Sequence, residues 1–142
     1  MARTVVVIDG MGGGIGAQII AKLRKDGPDG ISILALGTNA VAAQRMVDAG
    51  AERGASGENA FKVTLGRADF VLGPLGAALP DSMMGEVTPD MARAVMASPA
   101  RKLLLPLSQQ HLEIVGLAPR NVADLVADAV AELARLVGSE RS

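Results

Sequence analysis

The stretch from Thr4 to Gly16 constrains the fold of this chain more than any other. It reads Thr-Val-Val-Val-Ile-Asp-Gly-Met-Gly-Gly-Gly-Ile-Gly, a β-branched run followed by five glycines within seven positions. A short β-branched run that ends in glycines is typical of a buried strand. Beyond the glycines, Ile15, Ile19 and Leu23 recur at helical spacing. The sequence therefore predicts a strand, a tight glycine-rich turn and a helix.

The rest of the chain continues this alternation. We predict strands over residues 4–9, 31–36, 68–72, 102–105 and 112–117. Helices are predicted after the glycine turn, after Thr38-Asn39, over residues 58–65, from Thr88-Pro89 and from Asn121. Residues 52–59 read as a polar loop, 75–87 as a loop or short helix, and 138–142 as an exposed tail. The pattern predicts one α/β domain over residues 1–142, a three-layer Rossmann-like fold. Its mostly parallel sheet should have about five strands, with the first strand at the centre.

Composition narrows the classes of function. The chain is 49% hydrophobic with 1% aromatic residues, so the core must be aliphatic. A net charge of −1 gives no reason to expect nucleic acid or an anionic membrane surface as a partner. Without cysteine there is neither a disulfide nor a thiolate site. No apolar run reaches the ~20 residues of a membrane span. Met-Ala-Arg leads straight into the first strand, so we expect no signal peptide and a cytoplasmic location.

The glycine turn is a candidate anion site. A helix N-terminus carries roughly half a positive elementary charge and presents backbone amides, which suits a phosphate. The predicted nucleotide-binding residues are Gly10, Met11, Gly12, Gly13, Gly14, Ile15, Thr38, Asn39, Gly73 and Pro74. A purely structural turn is the alternative, although five glycines exceed what such a turn requires.

Gly10, Gly14 and Gly16 fit the spacing Gly-x-x-x-Gly-x-Gly, which resembles the turn of the short-chain dehydrogenase/reductase family. The resemblance covers only this strand–turn–helix unit and implies NAD(P) as the cofactor, with its pyrophosphate on the amides of residues 12–15. The chain departs from that family in three ways. It has no tyrosine for hydride chemistry, Gly37-Thr38-Asn39 stands where an acid should hold the ribose, and the Asp9 carboxylate faces the anion site.

Two other hypotheses about the function remain open. Leu36-Gly37-Thr38-Asn39 and Gly73-Pro74-Leu75-Gly76 resemble segments of the methylglyoxal synthase-like fold, which implies a phosphate-ester enzyme with Asp81 as the catalytic aspartate. The other hypothesis is that the protein is a non-catalytic regulatory or assembly subunit. A homodimer is expected from the alanine-rich helix faces and from Met83-Met84.

His111, the only histidine, closes the segment 108–111 after the fourth predicted strand. Carboxyl ends of parallel strands share one edge of a sheet. His111 and Asp9 are therefore the candidate catalytic pair, with a surface histidine as the alternative. The acids Asp9, Glu58, Asp81 and Glu86 have no spacing typical of a metal loop, so no metal is predicted.

Over most of its length the chain resembles an uncharacterised family of small bacterial proteins, a domain of unknown function. The resemblance rests on Ile8-Asp9-Gly10 with the glycines after it, and on Ala35-Leu36-Gly37-Thr38-Asn39-Ala40. Gly57-Glu58-Asn59-Ala60, the Gly73-Pro74 turn and Glu113-Ile114-Val115-Gly116 extend it. It implies a Rossmann-like fold and brings no activity with it.

Overall fold

The structure, a computed structural model, describes residues 2–107, 109 and 111–141. Strands and helices alternate along the described chain. The strands are β1 (Arg3–Asp9), β2 (Ile31–Gly37), β3 (Arg53–Ser56), β4 (Phe70–Pro74) and β5 (Arg101–Leu105). The helices are α1 (Gly14–Asp26), α2 (Ala40–Asp48), α3 (Glu58–Leu65), α4 (Pro89–Ala97) and α5 (Val122–Arg141). A single turn of 3-10 helix covers Leu75–Ala78, directly after β4.

The strands form one parallel sheet in the order β3-β2-β1-β4-β5, with β1 at its centre. In the register of β1, Val7 lies opposite Ala35 of β2 and Leu72 of β4. This confirms the predicted α/β class and the central first strand. The strand order reverses at β1, so the chain leaves β1 and β4 toward opposite sides of the sheet. Open α/β sheets bind their ligands at such a switch point, outside the carboxyl ends of the strands.

Helices cover both faces of the sheet and make three layers. Val5 and Val7 of β1 pack on one face with Ile19 of α1 and Leu133 of α5. The alternate residues of β1 face the opposite core, where Ile8 packs with residues of α3 and α4. Alternation along β1 thus buries both faces of the strand, as expected for a central parallel strand. Phe61 of α3 and Phe70 of β4 are buried aromatic residues, and the other apolar residues of the core are aliphatic or methionine.

Helix caps were the most predictable local features. Thr88 accepts a hydrogen bond from the amide of Met91 at the start of α4. Asn39 caps α2 through the amide of Ala42, and Asn121 does the same for Asp124 at the start of α5. In each case a short polar side chain satisfies an amide that the helix leaves without an internal partner.

The strand predictions were wrong in two places. Residues 53–56, predicted as loop, form β3, an edge strand whose residues are all exposed and so carry no apolar pattern. Residues 112–117 are not a strand but turns around a cavity, with one isolated bridge between Gln109 and Leu112. Their apolar character reflects the lining of that cavity and an exposed loop rather than a sheet.

Two element ends also differ from prediction. Gly73 and Pro74 do not follow β4 but are its last two residues. Gly138 lies inside α5, which continues to Arg141, so the expected tail is mostly helical. Val137 anchors this last part because its side chain is buried at 1% exposure. Among the described helices, none is both long and apolar enough to cross a membrane.

Candidate functional site

The predicted binding residues come together at the carboxyl edge of the sheet. β1 ends at Asp9 and β2 ends beside it at Gly37, and the amide of Thr38 donates to the carbonyl of Asp9 at 3.0 Å. The glycine turn after β1 and the Thr38-Asn39 turn after β2 are therefore neighbours. Gly73 lies against β1 from the other side, where a Cβ would fall 2.6 Å from the carbonyl oxygen of Ile8. Gly73 thus lets β1 and β4 approach, while a ligand contact for Gly73 and Pro74 stays a prediction.

The glycine loop, residues 10–16, turns tightly before α1. Gly13 has a left-handed backbone with φ 77°, and its amide donates to the carbonyl of Gly10 at 2.8 Å. A Cβ on Gly13 would also lie 2.9 Å from backbone atoms of Ala42, so glycine is required there for shape. Gly12 is different, because a Cβ there would meet only the Arg45 guanidinium, at 3.8 Å. The outer surface of the loop is thus open at Gly12.

Arg45 of α2 supplies positive charge to this open surface. Its Nη1 lies 3.4 Å from the carbonyl oxygen of Gly12 and also borders Gly14. The guanidinium therefore stands beside the N-terminus of α1, where the helix dipole is also positive. Arg45 was not among the predicted site residues, because only the packing of α2 against α1 brings it there.

Asp9 is buried beneath the glycine loop, with 4% of its surface exposed. One carboxylate oxygen accepts from the amide of Gly10 at 2.8 Å, and the other accepts from the amide of Gly16 at 2.7 Å. Burial raises the pKa of the Asp9 carboxyl above its ordinary value, while the Gly16 and Gly10 amides and the more distant Arg45 charge act in the opposite direction. Asp9 thus binds the start of α1 from inside, and its catalytic role stays a prediction.

Glu86 brings a second carboxylate to the loop. Its Oε1 accepts from the amide of Met11 at 2.8 Å, from the hydroxyl of Thr38 at 2.6 Å and from the Asn39 side-chain amide at 2.8 Å. These donors come from the turns after β1 and β2. The sequence offered no local signal for this contact, because Glu86 lies 48 residues from Thr38.

The segment that carries Glu86, residues 79–87, lies over the glycine loop and is called the cover segment. A Cβ on Gly10 would overlap the Thr38 hydroxyl and would lie 2.6 Å from the Met83 sulfur. Three non-glycine residues of the segment have left-handed backbones: Asp81 (φ 68°), Met83 (φ 56°) and Met84 (φ 56°). Such conformations cost L-residues about 1–2 kcal/mol each. The segment therefore holds a strained backbone over the predicted binding site.

The hydrogen bonds to Glu86 make a pH dependence testable. The Thr38 hydroxyl first, then the Met11 amide, hold the pKa of Glu86 below its ordinary value of 4.5. A lowered folded-state pKa means that the ionised carboxylate stabilises the folded chain above pH 4.5, and that this contribution is lost as pH falls through the lowered pKa. We expect the Met11 amide resonance in NMR spectra to titrate with a midpoint below 4.5. Glu86→Gln should abolish this titration. A midpoint at or above 4.5, or a titration unchanged in Glu86→Gln, would contradict the contact.

His111 is exposed in the loop after β5, with φ 61°. Asp9 ends β1 and His111 follows β5, so both residues lie at the carboxyl edge of the sheet, where β4 separates the two strands. Within the described residues no hydrogen bond joins His111 to Asp9 or to Asp81, so a shared crevice stays a prediction. Ser108 and Gln110, from the same predicted segment, lie outside the described residues.

A cavity of about 830 Å³ lies next to this loop, between the end of β5 and the start of α5. Apolar side chains line it together with Gln109, Glu113, Arg120 and Asn121. The Gln109 side chain also borders Gly76, which places the cavity beside the turn after β4. The carboxyl edge thus continues from the glycine loop past the cover segment to this cavity. In the described part of the chain, no cluster of three or more potential metal ligands occurs.

The fold and the site together define a small Rossmann-like α/β protein whose glycine loop, two carboxylates and one guanidinium meet at the switch point of the sheet. A family model described as a domain of unknown function (DUF3842) matches residues 4–138, and the chain belongs to that family. This confirms the full-length resemblance inferred from the sequence. The comparison with curated proteins finds no match.

Proposed function

We propose that this protein binds a nucleotide, NAD(P) in the first place, at the carboxyl edge of the sheet, with its phosphates on the glycine loop. The observation that carries the proposal is the open surface of the loop at Gly12, bordered by the Arg45 guanidinium. A phosphate there would meet a full positive charge and the positive end of α1, and no Cβ would keep it from the backbone.

The Asp9 carboxylate is compatible with this placement. Its two oxygens accept hydrogen bonds from the amides of Gly10 and Gly16 on the inner side of the loop, where the carboxylate is buried. The phosphates are therefore expected on the outer side, toward Gly12 and Gly14. The cavity beside β5 offers room for the remainder of a dinucleotide, since pockets of about 300–1,000 Å³ hold ligands of that class.

A thermal-shift screen tests the proposal. Wild-type protein is heated with NAD(H), NADP(H), FAD, ATP and sugar phosphates in turn. We expect NADH or NADPH to raise the melting temperature, because a ligand at 100 times its Kd stabilises the folded state by about 2.7 kcal/mol. A shift with sugar phosphates alone would favour the phosphate-ester enzyme. No shift with any compound would contradict ligand binding and favour a non-catalytic assembly subunit.

We further propose that the protein works as a homodimer in the cytoplasm. The support is a run of exposed apolar side chains in the loop before α5, namely Leu112, Ile114, Val115 and Leu117. Val115 is 97% exposed in the single chain, and such a patch is typical of a surface that another protein covers.

A further inference from the structure

We propose that the Met11 amide, the Thr38 hydroxyl and the Asn39 side-chain amide form a subsite for an anionic oxygen of the ligand, and that Glu86 occupies this subsite in the free protein. The cover segment would then act as an internal competitor that the ligand has to displace. This inference rests on the proposed nucleotide site and describes how binding at that site is regulated.

The first argument is the donor geometry. Three donors from two separate turns converge on one oxygen atom, Oε1 of Glu86, at 2.6–2.8 Å. The Asn39 side-chain amide also donates to the carbonyl of Met11, which fixes its orientation toward the same point. A phosphate or carboxylate oxygen of a ligand could make the same three bonds. It could do so only after Oε1 had left, since both groups need the same space and carry the same sign of charge.

The second argument is the fit of the cover segment on Gly10. Glu86 Oε1 and the Met83 sulfur both occupy the space that a Cβ would take, at 3.1 and 2.6 Å from its ideal position. Gly10 therefore admits the cover segment onto the loop. A ligand that approaches the Met11 amide from this side meets Glu86 and Met83 first.

The third argument is that displacement needs little rearrangement. The cover segment is closed by its own hydrogen bonds, from the amide of Asp81 to the carbonyl of Val87 and from the amide of Val87 to the carbonyl of Ser82. Val87 is fully buried and anchors the end of the segment. Rotation of the Glu86 side chain into solvent would therefore empty the subsite while the segment keeps its own bonds. Met84, at the tip, is 90% exposed and makes no core contact that would oppose a small shift.

The position of Glu86 also permits an alternative role, that of the acid that holds a ribose. Glycine, threonine and asparagine stand at the end of β2, where dinucleotide-binding folds carry an acid for the ribose. The structure brings a carboxylate to this position from a distant segment. A ribose acceptor and an internal competitor differ in their effect on affinity, because removal of the first weakens binding and removal of the second strengthens it.

The test measures the affinity for inorganic pyrophosphate and for NADPH by calorimetry in four proteins. These are wild type, Glu86→Gln, Glu86→Ala and the control Glu58→Gln. Glu58 is exposed at the start of α3, and its substitution changes the net charge by the same amount. We expect Glu86→Ala to bind about tenfold more tightly than wild type, which corresponds to a subsite occupied by Glu86 in about nine-tenths of the free molecules. Glu86→Gln should fall between wild type and Glu86→Ala, because its side-chain carbonyl oxygen still accepts the hydrogen bonds of the subsite but carries no charge. Glu58→Gln should stay within about twofold of wild type, because the Glu58 carboxylate is exposed to solvent, which screens its charge, and the three donors bind Glu86 instead.

A second measurement uses only wild-type protein. Pyrophosphate should shift the methyl resonance of Met83 in NMR spectra, because the Met83 sulfur lies beside Glu86 Oε1 over Gly10. Pyrophosphate binding that leaves this resonance unchanged would overturn the internal competitor.

The outcomes separate the two proposals. Equal affinities of wild type and Glu86→Ala would leave the nucleotide site standing and overturn the internal competitor. Weaker binding by Glu86→Ala would make Glu86 a ligand-binding residue, and this result would also overturn the internal competitor. If neither compound binds to any of the four proteins, both proposals are wrong.

Discussion

Replacing Asp9 with alanine is expected to lower the free energy of unfolding by about 2–6 kcal/mol, because it leaves two buried donors unsatisfied and each costs about 1–3 kcal/mol. The amides of Gly10 and Gly16 both lose their acceptor in this variant, at a place where only 4% of the Asp9 surface is exposed. Equilibrium denaturation in urea measures the change. Asp9→Asn should fall between wild type and Asp9→Ala, since it keeps one carbonyl oxygen but turns an amide group toward a backbone donor.

Asp48→Ala is the matched control for this prediction. Asp48 lies exposed at the end of α2, and its carboxylate accepts from the Gln44 side chain in solvent. Its removal should change the free energy of unfolding by less than about 0.5 kcal/mol. If Asp9→Ala were as stable as Asp48→Ala, the inner bonds of the glycine loop would not matter to the fold. Asp9 would then be free for the catalytic role that the sequence suggested.

Gly12→Val is expected to weaken NADPH binding by about a hundredfold, or close to 2.8 kcal/mol, while the protein stays folded. The loop is open at this position, where only Arg45 comes within 4 Å of a Cβ, at 3.8 Å. The valine side chain would stand between the loop and the phosphates without entering the core. Calorimetric titration with NADPH measures the loss, and urea denaturation should show nearly unchanged stability.

Gly16→Val is the matching variant for Gly12→Val. It should lower the stability of the fold, whereas Gly12→Val should lower the affinity for NADPH. A Cβ on Gly16 would overlap the sulfur of the fully buried Met46 and lie 2.9 Å from the Cβ of Asp9. Such overpacking costs about 1–3 kcal/mol of stability. The two variants thus separate a binding position from a packing position within one loop. Equal NADPH affinity of wild type and Gly12→Val would reject the proposed phosphate position.

The parts of the fold that depend on local sequence could be predicted, and those that depend on distant contacts could not. The apolar run of β1, the periodicity of α1 and the Thr88 cap all lie within a few neighbouring residues, and the structure confirms each of them. β3 was missed because Arg53, Gly54 and their neighbours are exposed and pair only through backbone with β2. An edge strand of this kind has no side-chain pattern to find.

The candidate site also contains residues that local sequence predicts and residues that only distant contacts bring there. The glycine loop and the turn at Thr38-Asn39 were predicted because each directly follows an apolar strand. Glu86 and Arg45 were missed because neither lies in a motif. The hydrogen bond from Thr38 to Glu86 spans 48 residues, and Arg45 reaches the loop only through helix packing. Positive backbone angles in the cover segment were equally hidden, since methionine and aspartate seldom adopt them.

The packing of α5 has a consequence for how the chain folds. The side chains of Val126, Val130 and Leu133 complete the core that also contains Val5 and Ile19, so one face of the sheet joins the two ends of the domain. That face stays open during synthesis until residues 122–137 have left the ribosome. Contacts between such distant segments form late and slow folding. Until then the nascent chain exposes aliphatic surface on that face, which makes it prone to aggregation.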